Sequence, residues 1–156
     1  MSAVPKLRFP EFEGEWQESS LSSVVSMKSG NFIRAAEIFD ASEEGTYPCF
    51  GGNGLRGYVQ TCNHDGKYVL IGRQGALCGN VLLVDGSFYA TEHAVVTEAK
   101  SRNDITWLYY QLDRMNLNQY STGLAQPGLS VSNLNNLSNF FPPPPNNRKS
   151  QHSCLL

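Results

Sequence analysis

Three polar side chains stand beside glycines or a proline, where the backbone is fixed or unusually open. Arg73 and Gln74 lie between two glycines, and Gln126 is followed by Pro127 and Gly128. A guanidinium group can donate two parallel hydrogen bonds to guanine, and a primary amide offers the donor and acceptor that match adenine. Proline fixes its own φ and restrains the preceding residue, which lowers the entropy lost on binding. Arg73, Gln74 and Gln126 are therefore candidates for the recognition of base edges.

Other candidate contacts lie near small or polar loops. The run Gly51-Gly52-Asn53-Gly54 carries little side-chain bulk, so it can lie against a groove or a phosphate. The remaining candidate DNA contacts border this run, end the main predicted helix or flank an early glycine. They are Arg56, Tyr58, Asn118, Thr122, Lys28 and Arg34. Serine, threonine and amide groups at such places commonly serve phosphate oxygens.

Each candidate also has a structural interpretation. Arg73 can form an ion pair or a carbonyl contact inside the fold, and the glycine-rich run can be a plain tight hairpin. The turn at Gln126 can simply join two helices. Lys28 and Arg34 can be solvated surface residues. The sequence leaves these alternatives open.

Residue types used in catalysis are present without a catalytic arrangement. His64-Asp65 lies in 63–66, a predicted hairpin turn, and strand alternation would place Glu92 and His93 on opposite faces. No Gly-x-Ser-x-Gly occurs, and the glycine-rich run lacks the lysine of a phosphate-binding loop. The four cysteines form no C-x-x-C pair, which predicts free thiols and no zinc. We expect no catalytic residue, metal or cofactor.

Composition favours one globular domain. The 156 residues, 40% hydrophobic, can form a sizeable core, and no apolar run approaches ~20 residues. Without a visible signal peptide, a cytoplasmic protein with no membrane partner is expected. The net charge of −2 is unusual for a DNA-binding protein. A surface of this charge can still bind DNA if a partner protein supplies most phosphate contacts.

Glycine-bounded aromatic and β-branched runs predict six short strands: 47–50, 57–61, 68–72, 80–84, 87–90 and 93–98. Between two of them, Asp85-Gly86 is typical of a two-residue hairpin turn. The fold class predicted is α+β: a glycine-punctuated, mixed or antiparallel sheet with a few helices.

Three helices are predicted from caps and periodicity. The first begins after Ser20 and ends at Gly30. The second covers 105–120, is capped by Asn103 or Asp104 and ends at Gly123; its apolar positions are assigned to the core. A third, shorter helix covers 132–137, in a segment capped by serine 130 or 132.

Five blocks resemble, in order, the target-recognition domains of type I restriction–modification specificity (S) subunits. They are 6–12 with Trp16, 47–54 with Gly57-Tyr58, 69–76 with 79–81, 90–94, and 120–134. The resemblance implies a DNA target-recognition domain over 1–141. It also implies double-stranded DNA and DNA methyltransferase (modification) subunits as partners, with the restriction/translocase subunit joining through the complex. Catalysis would then belong to the partner subunits.

The remaining residues, 142–156, are predicted to be a proline-rich hinge followed by a disordered tail. S subunits carry a Glu-Gln-rich helix after such a hinge, whereas this chain reads Asn146-Asn147-Arg148-Lys149. One choice of codons, shifted by one nucleotide, restores a helix of the family type. We therefore hypothesise a frameshift near the proline codons, and an ordinary disordered tail is the alternative.

The leading functional hypothesis is sequence-specific DNA recognition of one half of a bipartite target. A second is a truncated remnant that is non-functional or competes with the intact subunit for methyltransferase. A third is a small nuclease that binds Mg²⁺ through Asp65, Glu92 and His93. The target bases are not encoded in any pattern visible in the sequence.

Overall fold

The computed structural model describes residues 16–100, 104–123 and 127–141. Within these ranges the strands and helices are, in chain order, β1 Gln17–Ser20, α1 Leu21–Val24, β2 Val25–Ser29, β3 Tyr47–Gly51, β4 Gly54–Val59, β5 His64–Gly72, β6 Val81–Ala90, β7 Ala94–Ala99, α2 Ile105–Arg114, α3 Val131–Asn135 and β8 Ser138–Phe141. Two 3-10 turns cover Ala35–Glu37 and Leu117–Tyr120.

Six strands form the central sheet in the order β2-β7-β5-β6-β3-β4. Four of the five neighbouring pairs are antiparallel, and β3 runs parallel to β6. The sheet is therefore mixed, and with three helices the fold is α+β, as predicted. The predicted strands at 47–50 and 93–98 correspond closely to β3 and β7.

The sheet is buried on both faces because its central strands alternate two sets of apolar side chains. In β5, Val69 and Ile71 face a core that also contains Leu108 and Leu112 of α2. The intervening Leu70 faces a second cluster formed by β6 and β7. One layer of sheet thus separates a helix-covered core from a smaller core on the side of Phe88.

The two ends of the described fold meet in a second, two-stranded sheet. β1 pairs antiparallel with β8, from Gln17 opposite Phe141 to Ser20 opposite Ser138. The Trp107 ring lies edge-on to Phe141, with ring centroids 6.2 Å apart, and edge-on to Trp16 at 6.5 Å. This aromatic contact attaches the two-stranded sheet to α2.

Two predicted helix caps are confirmed. The Asp104 carboxylate accepts a hydrogen bond of 2.9 Å from the Trp107 backbone N–H, and the Ser130 hydroxyl accepts one of 3.0 Å from the Asn133 N–H. Each cap satisfies a donor that a helix leaves unpaired at its first turn. The predicted core positions of α2 and its C-cap are also confirmed: Leu108, Leu112 and the capping residue Met115 are buried, and Trp107 packs against them.

The predicted helix from Ser20 to Gly30 is wrong beyond its first turn. It ends at Val24, and residues 25–29 form β2, which pairs with all of β7 except its first residue. Val25 and Met27 are buried while Lys28 is exposed, an alternation of period two rather than a helical one. Pairing with β7 outweighs the local helical pattern.

The predicted turns at 63–66 and Asp85-Gly86 are also wrong. β6 runs through Asp85-Gly86 without reversing and pairs with β5 from His64 to Ile71. Gly66 lies opposite Gly86, and their φ values are +138° and +109°, so the strand pair is distorted at this point but not reversed. The local turn signal of Asp-Gly is overridden by an eight-residue strand pairing.

The predicted helix 105–120 is too long. α2 ends at Arg114, Asn116 adopts a left-handed φ of +50°, and a 3-10 turn follows. This break buries Leu117 in the main core. Gly123, the predicted end of the helix, lies beyond a helix that has already ended, and it too has a positive φ.

Cys49, Cys62 and Cys78 are free thiols, which agrees with the prediction for these three cysteines. Burial raises the pKa of the Cys49 thiol, so it is protonated near neutrality and a poor nucleophile. In the part of the chain that the structure describes, no helix is long and apolar enough to cross a membrane.

We expect Phe141→Ala to lower the free energy of unfolding by about 3–5 kcal/mol, because it empties a buried aromatic site. Urea unfolding followed by tryptophan fluorescence measures the change. Phe32→Ala is the matched control: Phe32 is 72% exposed, so its loss should change stability by less than about 0.5 kcal/mol. Equal effects of the two variants would contradict the closure by β1 and β8.

A second stability prediction concerns the approach of β5 to the β3–β4 hairpin. A Cβ on Gly72 would clash with the carbonyl oxygen of Gly52. Gly72→Ala should therefore lower the free energy of unfolding by about 1–3 kcal/mol through overpacking. At Gly51 a Cβ would meet its nearest atoms at 3.7 Å, an ordinary contact. Gly51→Ala should then leave stability unchanged, and equal losses in the two variants would refute the close approach.

Candidate nucleic-acid interface

Four segments from distant parts of the chain surround one cleft of about 810 Å³. The first is the tip of the β3–β4 hairpin, the second is the chain that leaves β5, and the third precedes α3. The fourth is the β6–β7 turn, which contributes His93. We call this site the reading cleft. Its lining residues are Gly51, Gly52, Asn53, Gly54, Leu55, Arg56, Arg73, Gln74, Gly75, His93, Thr122, Pro127, Gly128, Leu129 and Ser130.

Backbone hydrogen bonds join the second and third segments. The Leu129 N–H donates to the Arg73 carbonyl at 2.8 Å, and the Gly75 N–H donates to the Pro127 carbonyl at 2.9 Å. Gln74 lies between these bonds and forms a β-bridge with Gly128. The polar side chains of the cleft therefore extend from a backbone that is held on both sides.

Thr122 belongs to the same framework. Its backbone exchanges two hydrogen bonds of 2.9 Å with Gly128, and its side chain is exposed. Gln126, the amide expected to read adenine, lies outside the described residues. Pro127, which directly follows it, is in the cleft wall.

The hairpin tip packs against the start of the second segment. Gly52 approaches the backbone of Gly72, and the site of its missing Cβ is 3.2 Å from the His93 carbonyl oxygen and 3.4 Å from that of Gln74. Arg73 donates its backbone N–H to the same His93 carbonyl at 3.0 Å. The glycines of the hairpin thus allow backbone to pack directly on backbone.

Arg73 lines the cleft, and part of its side chain is already bound within the protein. Its Nη1 donates to the Ser29 hydroxyl at 2.7 Å and lies 3.4 Å from the Glu92 carbonyl oxygen. Its Nε is buried and meets no partner among the residues that the structure describes. Part of the Arg73 guanidinium therefore has a structural role, because it contacts the end of β2 and the β6–β7 turn.

Gln74 and Arg56 differ from Arg73 because both side chains are exposed in the cleft. Within the described ranges, the Gln74 amide has no hydrogen-bond partner and Arg56 pairs with no carboxylate. Tyr58 is half-buried and is outside the cleft lining; its backbone pairs with Phe39.

Asn118 also lies outside the cleft lining. Its Nδ2 donates to the Cys78 carbonyl at 2.8 Å and to the Ala76 carbonyl at 3.2 Å. The amide thereby holds the loop between β5 and β6 against the 3-10 turn after α2. The Asn118 amide N–H groups therefore stabilise the fold.

The two early cations lie elsewhere. Lys28 is exposed on β2, an edge strand of the sheet. Arg34 pairs with Glu37 at 3.2 Å, and hydrogen bonds from Arg34 lower the pKa of the Glu37 carboxyl. Both groups are largely in solvent, so this pair contributes little to stability.

Glu92 and His93 form the turn between β6 and β7, and their side chains contact each other at 3.3 Å. Their expected placement on opposite faces is wrong, because they lie in a turn where strand alternation does not apply. Asp65 lies within β5 opposite Ser87, whereas Glu92 and His93 lie in the turn beyond the end of β6. Among the described residues, no group of three or more His, Cys, Asp or Glu side chains could hold a metal ion.

The sequence interpretation missed several cleft residues. The sequence placed Asn53 only within a run of little side-chain bulk, His93 within a possible Mg²⁺ site, and Ser130 at a helix cap; all three line the cleft. The sequence could have identified Asn53 as a cleft residue, because it is the one residue with a side chain in the glycine run 51–54. His93 and Ser130 reach the cleft through long-range packing that no local pattern reveals.

Comparisons with known proteins agree with this architecture. Residues 13–152 match the family described as the type I restriction modification DNA specificity domain. The type I restriction enzyme EcoprrI specificity subunit from Escherichia coli is 50% identical over 137 residues, which are 87% of this chain and 34% of that protein. This chain therefore spans about a third of the length of that relative.

Two solved structures share the fold. The S subunit of a type I restriction–modification system from M. genitalium superposes with a TM-score of 0.73 at 22% identity, over 97% of this chain and 40% of that one. The HsdS subunit from Thermoanaerobacter tengcongensis gives 0.61 at 15% identity, over 97% and 38%. The chain belongs to the type I restriction–modification DNA specificity domain family.

Proposed function

We propose that this chain recognises DNA sequence as a target-recognition domain of a type I restriction–modification specificity subunit, and that it reads one half of a bipartite target. The observation that carries the proposal is the reading cleft. It brings Arg56, Arg73, Gln74 and Thr122 to one site, although they come from three distant segments. The domain is proposed to cover residues 1–141, with 142–156 as a hinge and tail.

The chemistry of the cleft suits base edges better than bond cleavage. Guanidinium, amide and hydroxyl groups can hydrogen-bond the pattern of donors and acceptors in the major groove. The hairpin tip presents glycine backbone, which can approach a phosphate or a groove wall closely. A rigid frame lowers the entropy lost when such groups bind.

Partners are proposed to supply what the chain lacks. With a net charge of −2, it gains little from counterion release on DNA. DNA methyltransferase subunits would provide most phosphate contacts and the methyl transfer, and a restriction/translocase subunit would join through the assembled complex. The family membership and the E. coli relative, a type I restriction enzyme specificity subunit, support this division of roles. A cytoplasmic location follows from the same proposal.

We expect the chain, bound to its cognate methyltransferase subunit, to enrich one short motif from a library of duplexes randomised at their centre. Successive rounds of binding and sequencing measure the enrichment. Methyltransferase without the chain is the control, and it should enrich no motif, because the sequence-reading groups are proposed to lie in the reading cleft.

Two results would contradict the proposal. Equal recovery of all duplexes would show that the complex binds DNA without readout. Co-purification with methyltransferase, combined with such unselective binding, would instead favour the alternative of a protein-interaction remnant.

Arg56→Ala should weaken binding to selected and unselected duplexes by a similar factor, because an exposed guanidinium at the cleft rim is placed for a phosphate. The salt dependence of log Kd should fall by about one unit of slope. Fluorescence anisotropy at several salt concentrations measures both quantities. Arg34→Ala is the matched control: this arginine already pairs with Glu37 and lies outside the cleft, so its slope should not change. Identical slopes for both variants would exclude a phosphate contact at Arg56.

A further inference from the structure

We propose that Gln74 is a specificity-determining residue of the reading cleft, and that its amide reads an adenine from the major groove. The inference rests on the proposed function. It goes beyond that function by naming one residue and one base. Three observations carry it: the loop that bears Gln74 is fixed, its amide has no partner among the described residues, and the neighbouring Arg73 guanidinium and the Asn118 amide already make contacts within the protein.

The loop between β5 and β6 is closed at its base by backbone hydrogen bonds. The Gly72 N–H donates to the Asn80 carbonyl at 2.9 Å, and the Gly79 N–H donates to the Gly72 carbonyl at 2.7 Å. Inside the loop, the Cys78 N–H donates to the Gly75 carbonyl at 3.1 Å. The loop is therefore a compact turn with internal hydrogen bonds.

Contacts from outside hold the same loop in place. Asn118 donates to two of its carbonyls, at Ala76 and Cys78. On the cleft side, Gly128 forms a bridge with Gln74 itself. A side chain borne on such a loop loses only its own rotamer freedom when it binds, because the backbone is already ordered.

The polar groups near the cleft are unequally available. Arg73 donates to Ser29 and approaches the Glu92 carbonyl, and the Asn118 amide donor serves the β5–β6 loop. Gln74 is exposed, lines the cleft, and makes no side-chain hydrogen bond within the described residues. Its amide therefore retains both a donor and an acceptor for a ligand.

Adenine is the base that this amide fits. Its N6 amino group and N7 lie side by side in the major groove, and one primary amide can accept from the first and donate to the second. Guanine presents two acceptors there and cannot pair with both ends of an amide. The chemistry of Gln74 thus predicts an adenine at one position of the target.

The test repeats the library selection with Gln74→Ala, again bound to the methyltransferase subunit. We expect the variant to lose preference at one adenine position and to keep the rest of the motif. Its Kd for the selected duplex should rise by about 5- to 150-fold, the effect of losing one bidentate base contact. Thermal unfolding should be unchanged, because the side chain is exposed.

Gln60→Ala is the matched control, since Gln60 is an exposed glutamine that lies outside the cleft lining. It should leave the motif and the Kd as in the wild type. A wild-type motif that Gln74→Ala leaves unchanged would overturn the Gln74 assignment alone. Relaxation at a G·C position would overturn the assignment of adenine. Unselective binding by the wild type would overturn the proposed function together with this inference.

Discussion

The arrangement of the reading cleft depends on the close packing of backbone where β5 ends. Gly72 has no Cβ, so the carbonyl of Gly52 in the hairpin tip can pack directly against it. The next residue, Arg73, donates its N–H to the His93 carbonyl and accepts from the Leu129 N–H. Two consecutive residues therefore fix the hairpin tip, the β6–β7 turn and the segment before α3. A side chain at the first of them would separate the segments that form the cleft.

This junction explains why residue type alone does not tell which polar side chains are free to bind a ligand. Arg73 has the strongest chemistry for guanine, yet its Nη1 ties Ser29 to the Glu92 carbonyl and so helps hold the junction. Asn118 has an amide suited to adenine, yet that amide holds the β5–β6 loop. Gln74 carries the same amide group, and within the described residues this group makes no hydrogen bond. Sequence showed which side chains could read a base, and only long-range contacts showed which of them remain available.

The sequence predicted the fold well where local signals act alone. The cap at Asp104, the core positions of α2 and the strands β3 and β7 need only short-range patterns, and each is confirmed. Errors arose where a distant strand competes with a local signal. Residues 25–29, predicted as helix, form a strand because they pair with β7. β5 and β6 pair with each other across the residues predicted to form turns. Strand pairing satisfies many backbone groups at once, so it outweighs one turn or one helical period.

The low charge of the chain bears on discrimination as well as affinity. Counterion release strengthens binding to every duplex alike, so it raises affinity without separating right from wrong sequences. If partner subunits supply this sequence-independent binding free energy, the domain contributes mainly the difference in binding free energy between target and non-target sequences. A cleft with few cations and a fixed backbone suits this role, because each wrong base leaves an oriented polar group unpaired. The acidic balance of the chain, which first argues against DNA binding, is then compatible with a domain whose task is selectivity.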